Sequence, residues 1–169
     1  MGRTKIIIDA DVLIHFSKAD RLSMLPSILP EYEYAILSAV YEETISIRNQ
    51  IDNQTRFMKN IVIIPFSPTG QMKLEYARLR SKYGKGESAC MAYCKFTNNV
   101  IGSSNLKDIK EYCQQNQITY LTTLDFLYYA FERKMMTDKD CDEFINAVNQ
   151  KGSRLPAVKI ATYIPNNHL

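Results

Sequence analysis

Apolar positions in this chain come in short blocks separated by longer stretches with helical spacing. KIIID at residues 5–9 is an apolar run ended by a carboxylate, the pattern of a strand buried on both faces. EYAIL at residues 33–37, NIVIIPF at 60–66, NNVIG at 98–102 and ITYL at 118–121 repeat it. Ser67-Pro68 closes the third of these strands.

Helical patterns fill the intervals. One runs from Leu13 to Leu29, punctuated by Pro26 and Pro30. Ser38 is a good N-cap for a helix continuing through AVYEETISIRNQ. Residues 70–83 place Met72, Leu74, Tyr76, Ala77 and Leu79 at helical spacing, until Gly84-Lys85-Gly86 breaks the pattern. A new helix is expected from Glu87, another over SNLKDIKEYCQQNQ, another over LDFLYYAFERK, and a last one over residues 137–150, opened by Thr137 or Asp138. The tail from residue 152 to 169 reads as extended. Strands that alternate with helices predict an α/β fold, a parallel sheet covered on both faces, with right-handed crossovers. With 169 residues, and neither repeats nor a linker, one domain is expected over residues 1–169, with its core at about 4–150.

Composition changes this picture little. Hydrophobic residues make up 46% and charged residues 23%, as in ordinary globular proteins. No apolar run approaches the ~18 residues that cross a bilayer, and the opening MGRTKIIIDADVLIHF lacks the form of a signal peptide, so a cytoplasmic location is expected. Cys90, Cys94, Cys113 and Cys141 form no C-x-x-C pair and read as small buried apolar residues. With only His15 and His168 to join them, a zinc site is not expected. The net charge of +3 neither requires nor excludes nucleic acid. Arg78, Arg80, Lys82 and Lys85 form a local basic cluster, which on its own reads first as a solvated helix face.

Open parallel sheets place their sites beyond the carboxyl ends of the strands. The first strand ends in Asp9, and an apolar strand ending inward on a carboxylate needs a partner for that charge. Asp11 reads as a cap for the following helix. Glu43 lies one turn into a helix and competes with Glu42 for the inward position. Glu87 follows the glycine break, where the helix dipole favours an acid. After the fourth strand come Ser103, Asn105 and Asp108; the last two suit both a capping and a ligand role. Carboxylates gathered at one edge need protons or cations, and hard divalent ions accept such oxygen ligands. Those ions activate water and stabilise leaving oxygens, so phosphodiester hydrolysis needs no Ser, Cys or His nucleophile.

In this order, IIIDADVLI, VYEET, GKGESACMAYC and VIGSSNLKDIKEYC resemble the four motifs of the PIN-domain family, which includes the VapC-type toxins. The resemblance covers about residues 4–150. It implies a three-layer α/β/α fold with a central, mainly parallel five-stranded sheet. It places the acids at Asp9, Glu43 rather than Glu42, Glu87 and Asp108. It further implies a Mg²⁺- or Mn²⁺-dependent ribonuclease. Asp9, Glu87, Asp108 and Asn105 would serve the metal, and Glu43 would complete the cluster. Ser103, Lys85, Arg80 and Lys82 would contact RNA. An antitoxin-like regulatory partner and a homodimer are implied on the same ground. The chain departs from the family pattern at Glu87, where many members have Asp, and at Asn105, where some have an acid. Asp125 stands where a subgroup has glycine and reads as a helix cap. Asn105 motivates a rival reading, a PIN-fold scaffold that binds RNA or protein without cutting. A phosphoacceptor signalling domain would need an Asp ending the third strand and a Lys ending the fifth, and the chain has neither.

Overall fold

A computed structural model describes residues 2–169. The strands are β1 (Lys5–Ile8), β2 (Glu33–Leu37), β3 (Ile61–Ile64), β4 (Val100–Gly102) and β5 (Tyr120–Leu121). They form one sheet in the order β3-β2-β1-β4-β5. Every neighbouring pair is parallel, so the sheet goes further than the mainly parallel one expected. Ile6, Ile7 and Ile8 on the central strand are fully buried.

Nine helices flank the sheet: α1 (Ala10–Lys18), α2 (Leu25–Ile28), α3 (Ser38–Glu43), α4 (Arg48–Asp52), α5 (Gly70–Arg80), α6 (Lys85–Thr97), α7 (Leu106–Gln115), α8 (Thr123–Glu132) and α9 (Asp138–Gln150), counted among the described residues. Helices α1, α2, α8 and α9 pack on one another, while α6 lies against β1, β2 and β4 and carries α5 and α7 beside it. The result is a three-layer α/β/α architecture. The four cysteines are buried and unpaired, as expected of small apolar residues. No described helix is long and apolar enough to cross a membrane.

Several boundaries differ from the sequence reading, each for a local reason. The first helix starts at Ala10, because Asp9 itself caps it, and Asp11 lies inside the first turn. It stops after Lys18, where Asp20 takes a left-handed conformation at φ 56°. The helix expected from Ser38 to Gln50 breaks at Thr44, whose hydroxyl turns back to the carbonyls of Val40 and Tyr41. Ser38 does not cap it; its Oγ accepts from the Phe66 amide and ties down the chain leaving β3. Helix α6 starts at Lys85, so Glu87 sits inside the first turn. The tail is not simply extended: it forms a short 3-10 turn at Ile160–Thr162 and packs on α8 and α9.

Candidate active site

Connections leaving β1 run toward β2 on one side, while β4 lies on the other. The carboxyl end of β1 is therefore the switch point of the sheet. Asp9 leaves β1 at this place. Its Oδ1 accepts from the Ala10 amide at 2.8 Å, and the residue is only 7% exposed. Burial pushes its carboxyl well above the usual carboxylate range, and the charges of Asp11, Glu87 and Glu43 push in the same direction.

Glu43 approaches from the last turn of α3. The Gly86 amide donates to its Oε1 at 2.9 Å. A β-carbon at residue 86 would stand 2.5 Å from Glu43 Oε2 and 3.1 Å from a Val40 methyl, so glycine lets the two helices meet here. A single position along the chain separates the alternatives. Glu42 faces Lys85 in an exposed ion pair, and Glu43 faces the start of α6.

Glu87, one residue beyond Gly86, is half-buried. Its carboxyl is pushed up to about 7, chiefly by burial and then by the charge of Asp108. Asn105 stands between these acids. Its Nδ2 donates to Glu87 Oε1 at 2.9 Å and to Asp108 Oδ2 at 2.8 Å. Its amide nitrogen, not its oxygen, faces the carboxylates. Ser103 is fully buried, and its Oγ accepts from the Asn105 amide at 3.3 Å. The hydroxyl expected to meet a phosphate is thus turned inward, where it braces the loop after β4.

Asp11 is the residue that sequence reasoning missed. Its Oδ1 accepts from Val12 N at 2.7 Å, and its Oδ2 accepts from Ser104 N at 2.8 Å, which ties α1 to the loop after β4. Burial raises its carboxyl to about 6. The same loop is fastened from below. Ser104 Oγ accepts from Thr123 N at 2.8 Å and lies 2.7 Å from Thr123 Oγ1, which lies 2.8 Å from His15 Nδ1. Burial lowers the His15 imidazole to about 4, so it is neutral at ordinary pH and suited to accept the Thr123 proton. The only signal for Asp11 in the sequence was its place two residues after Asp9.

Lys85 pairs with Glu42, Arg80 Nη1 donates to the Tyr83 carbonyl at 2.9 Å, and Lys82 is exposed. Arg78 is committed to Glu75 at 2.6 Å, and Glu75 also takes Tyr112 Oη at 3.0 Å and Lys95 at 3.4 Å. These donors hold the Glu75 carboxyl down to about 2, with Arg78 the largest cause.

Five carboxylates thus converge: Asp9, Asp11, Glu43, Glu87 and Asp108. The shifts of Asp9 and Glu87 register the other members as repelling charges, while Lys85, paired with Glu42, also feels the charge of Glu43. Their oxygens suit a hard cation. As placed, no three or more His, Cys, Asp or Glu side chains among the described residues form a group that holds a metal ion unaided. Both facts agree for a hydrated ion, since Mg²⁺ takes one or two carboxylates and keeps several waters.

A parallel α/β sheet with carboxylates around its switch point is compatible with a nuclease-type fold. The chain belongs to the PIN-domain family, whose model matches residues 5–166. No curated protein gives a match. PIN domains are in general hydrolases of nucleic acid, typically with divalent metals, and that much applies to this chain at the level of the family.

Proposed function

We propose that the chain is a divalent-metal-dependent endoribonuclease that hydrolyses RNA phosphodiester bonds, working as one domain over residues 1–169. The observation that carries this reading is the cluster itself. Five carboxylates meet at a switch point, and burial and mutual repulsion raise the carboxyls of three of them, Asp9, Asp11 and Glu87, a cost to the fold unless they serve a cation.

Asp9, Glu87 and Asp108 would hold the ion, directly or through water. A bound Mg²⁺ or Mn²⁺ would supply Lewis acidity toward the phosphate and lower the pKa of water. Glu43, fixed by the Gly86 amide, orients the attacking water. Asn105 holds Glu87 and Asp108 in place, and Ser103 braces Asn105. Asp11 and Ser104 set the distance between α1 and the loop after β4. Arg80 and Lys82 meet the RNA backbone at the rim, and Lys85 joins them by leaving Glu42, an exposed pair that solvent and salt screen. Action as the toxin of a toxin–antitoxin pair, held by a protein that blocks the acidic cleft, is the finer form of this reading and rests on family resemblance alone.

A second reading has its own observation. Asn105 neutralises the gap between Glu87 and Asp108, where an acid would strengthen metal binding. On that reading the chain is a scaffold that binds RNA or protein without cutting. Calorimetric titration with Mn²⁺ separates the two when the parent is compared with Asp9→Asn and Asp108→Asn. Binding that both substitutions weaken, followed by metal-dependent cleavage of RNA, supports the nuclease. A parent that binds no metal at millimolar concentration leaves the scaffold.

A further inference from the structure

Asp11 and His15 stand four residues apart on α1, so they share one face of that helix. Both reach Ser104, the residue between Ser103 and Asn105 in the loop after β4. Asp11 takes its main chain, accepting from the Ser104 amide at 2.8 Å. His15 takes its side chain at one remove. The ring Nδ1 lies 2.8 Å from Thr123 Oγ1, which lies 2.7 Å from Ser104 Oγ.

The donors set the direction of this series. Thr123 is the first residue of α8, and first-turn amides lack partners within their own helix. Its amide donates to Ser104 Oγ at 2.8 Å. The Ser104 hydroxyl then donates to Thr123 Oγ1, and the Thr123 hydroxyl is left to donate to His15. Every donor in the series is met only when Nδ1 accepts. If Nδ1 donated instead, the Thr123 proton would turn to Ser104, and the Ser104 proton would have no partner in the series. The ring is suited to accept, since burial, and then the charge of Lys18, lower its imidazole to about 4. Thr123 is fully buried, so its hydroxyl has no solvent to turn to if His15 is lost.

We propose that His15 is a positioning residue of the acidic site: as the last acceptor behind Thr123, it fixes the Ser104 hydroxyl and so holds the loop whose next residue, Asn105, bridges Glu87 and Asp108. Asp11 ties that loop at one point, and a segment tied at one point can still turn about it. The second tie, from the same face of α1 by way of α8, removes that freedom. The effect on the loop rests on this geometry alone; the effect on cleavage rests also on the nuclease reading.

Leucine and asparagine have nearly the same shape, and only asparagine carries an acceptor near the place of Nδ1. Hydrogen exchange at the Ser104 and Asn105 amides, read by NMR, compares His15→Leu, His15→Asn, Thr123→Val and the double variant of His15→Leu with Thr123→Val. Exchange in His15→Leu and in Thr123→Val is expected to be about fivefold faster than in the parent, the factor that one net hydrogen bond supports. His15→Asn should recover most of the protection. The double variant should exchange no faster than either single one, because both break the same series. With saturating Mn²⁺ and an RNA substrate, kcat should fall about tenfold in His15→Leu and in Thr123→Val, part of the cost of misplacing a reacting group. KM should stay near the parental value, and His15→Asn should recover kcat. If His15→Leu does not fold, Thr123→Ser, which keeps the hydroxyl, gives the same contrast against Thr123→Val. Equal exchange within either pair overturns the proposal. So do effects of His15→Leu and Thr123→Val that add, and so does faster exchange with unchanged kcat in a parent that cuts. A parent that neither binds metal nor cuts removes the nuclease reading, and the exchange rates still decide whether His15 holds the loop.

Discussion

The Gly86 amide donates to Glu43 at 2.9 Å, and a β-carbon at the same residue would stand 2.5 Å from the other oxygen of that carboxylate. One residue thus both binds Glu43 and leaves room for it. Gly86→Ala separates catalysis from stability. Alanine favours the first turn of α6 by ~0.5–1 kcal/mol over glycine, which offsets part of the crowding against Val40. The Glu43 carboxylate, at the end of a flexible side chain, gives way first. Cleavage is expected to fall by about 10²-fold, the usual cost of misplacing a reacting group by ~1 Å. The melting temperature should move little. Activity assays beside thermal melts check this; an unfolded variant, or one with full activity, contradicts it.

Asn105→Asp turns a bridging donor into a third acid between Glu87 and Asp108. Without metal, the added charge repels both neighbours and should lower stability at neutral pH. With metal, it adds a hard oxygen ligand, and affinity for Mn²⁺ should rise by about tenfold, equal to ~1.4 kcal/mol. Calorimetry reads the affinity, and a cleavage assay reads its use. A parent that does not cut and a variant that does would favour the scaffold reading, with the site one residue short of activity. Equal affinity in the two proteins would remove Asn105 from the site.

The acids also predict how stability changes with pH. The carboxyls of Asp9, Asp11 and Glu87 are raised in the folded state, to about 6 for Asp11 and about 7 for Glu87. Between the ordinary carboxylate range and those values the folded chain holds more protons than the unfolded chain. Their contribution is therefore intact at low pH and is lost as pH rises toward 7. His15 acts oppositely. Its imidazole is lowered to about 4, so its contribution is intact above its ordinary value and is lost as pH falls toward 4. The two oppose each other across the same window. His15→Gln should steepen the loss of stability with rising pH, and Asp9→Asn should flatten it. Mg²⁺ or Mn²⁺ should raise the melting temperature more at pH 8 than at pH 5, because the ion takes over the neutralising role of the protons. Melts of the three proteins across pH, with and without metal, check all of these; a metal effect equal at both pH values would oppose a carboxylate site.

The strands were legible in the sequence because each is a short apolar run closed by polar residues, and a parallel sheet buries both faces of such a run. Asp9 was legible because it ends the first of them. Other features were hidden because they depend on partners far along the chain. Asp11 looked like a cap until the Ser104 amide, 93 residues on, was seen to reach its carboxylate. The choice between Glu42 and Glu43 came from motif spacing, and the physical distinction lies in Lys85 against the Gly86 amide. Ser103 carries no local mark of burial; the sheet around β4 encloses it. The break at Thr44 was missed because helical spacing continues through it, while a back-bonding hydroxyl ends the helix.

Asp125 explains the tail, which patterning alone left as an extended strip. Its carboxylate is fully buried at the start of α8. It forms a capping box with Thr122, accepting from that residue's amide at 2.8 Å. It also accepts from Tyr163 Oη at 2.8 Å, from Asn166 N at 3.0 Å, and from Asn166 Nδ2 at 3.2 and 3.1 Å. An ordinary helix cap serves its own first turn; this one also anchors a segment 38 residues on. Asp125→Ala leaves the Tyr163 hydroxyl and the Asn166 groups without their acceptor and empties a buried volume. The expected cost is about 3 kcal/mol. Release of the tail should also bare the β5 edge, so limited proteolysis is expected to cut near residues 155–165 in the variant and not in the parent. Sedimentation should then show more self-association than in the parent, since the β5 edge would be open. If the variant resists proteolysis as well as the parent does, the tail is held by its packing on α8 and α9 rather than by Asp125.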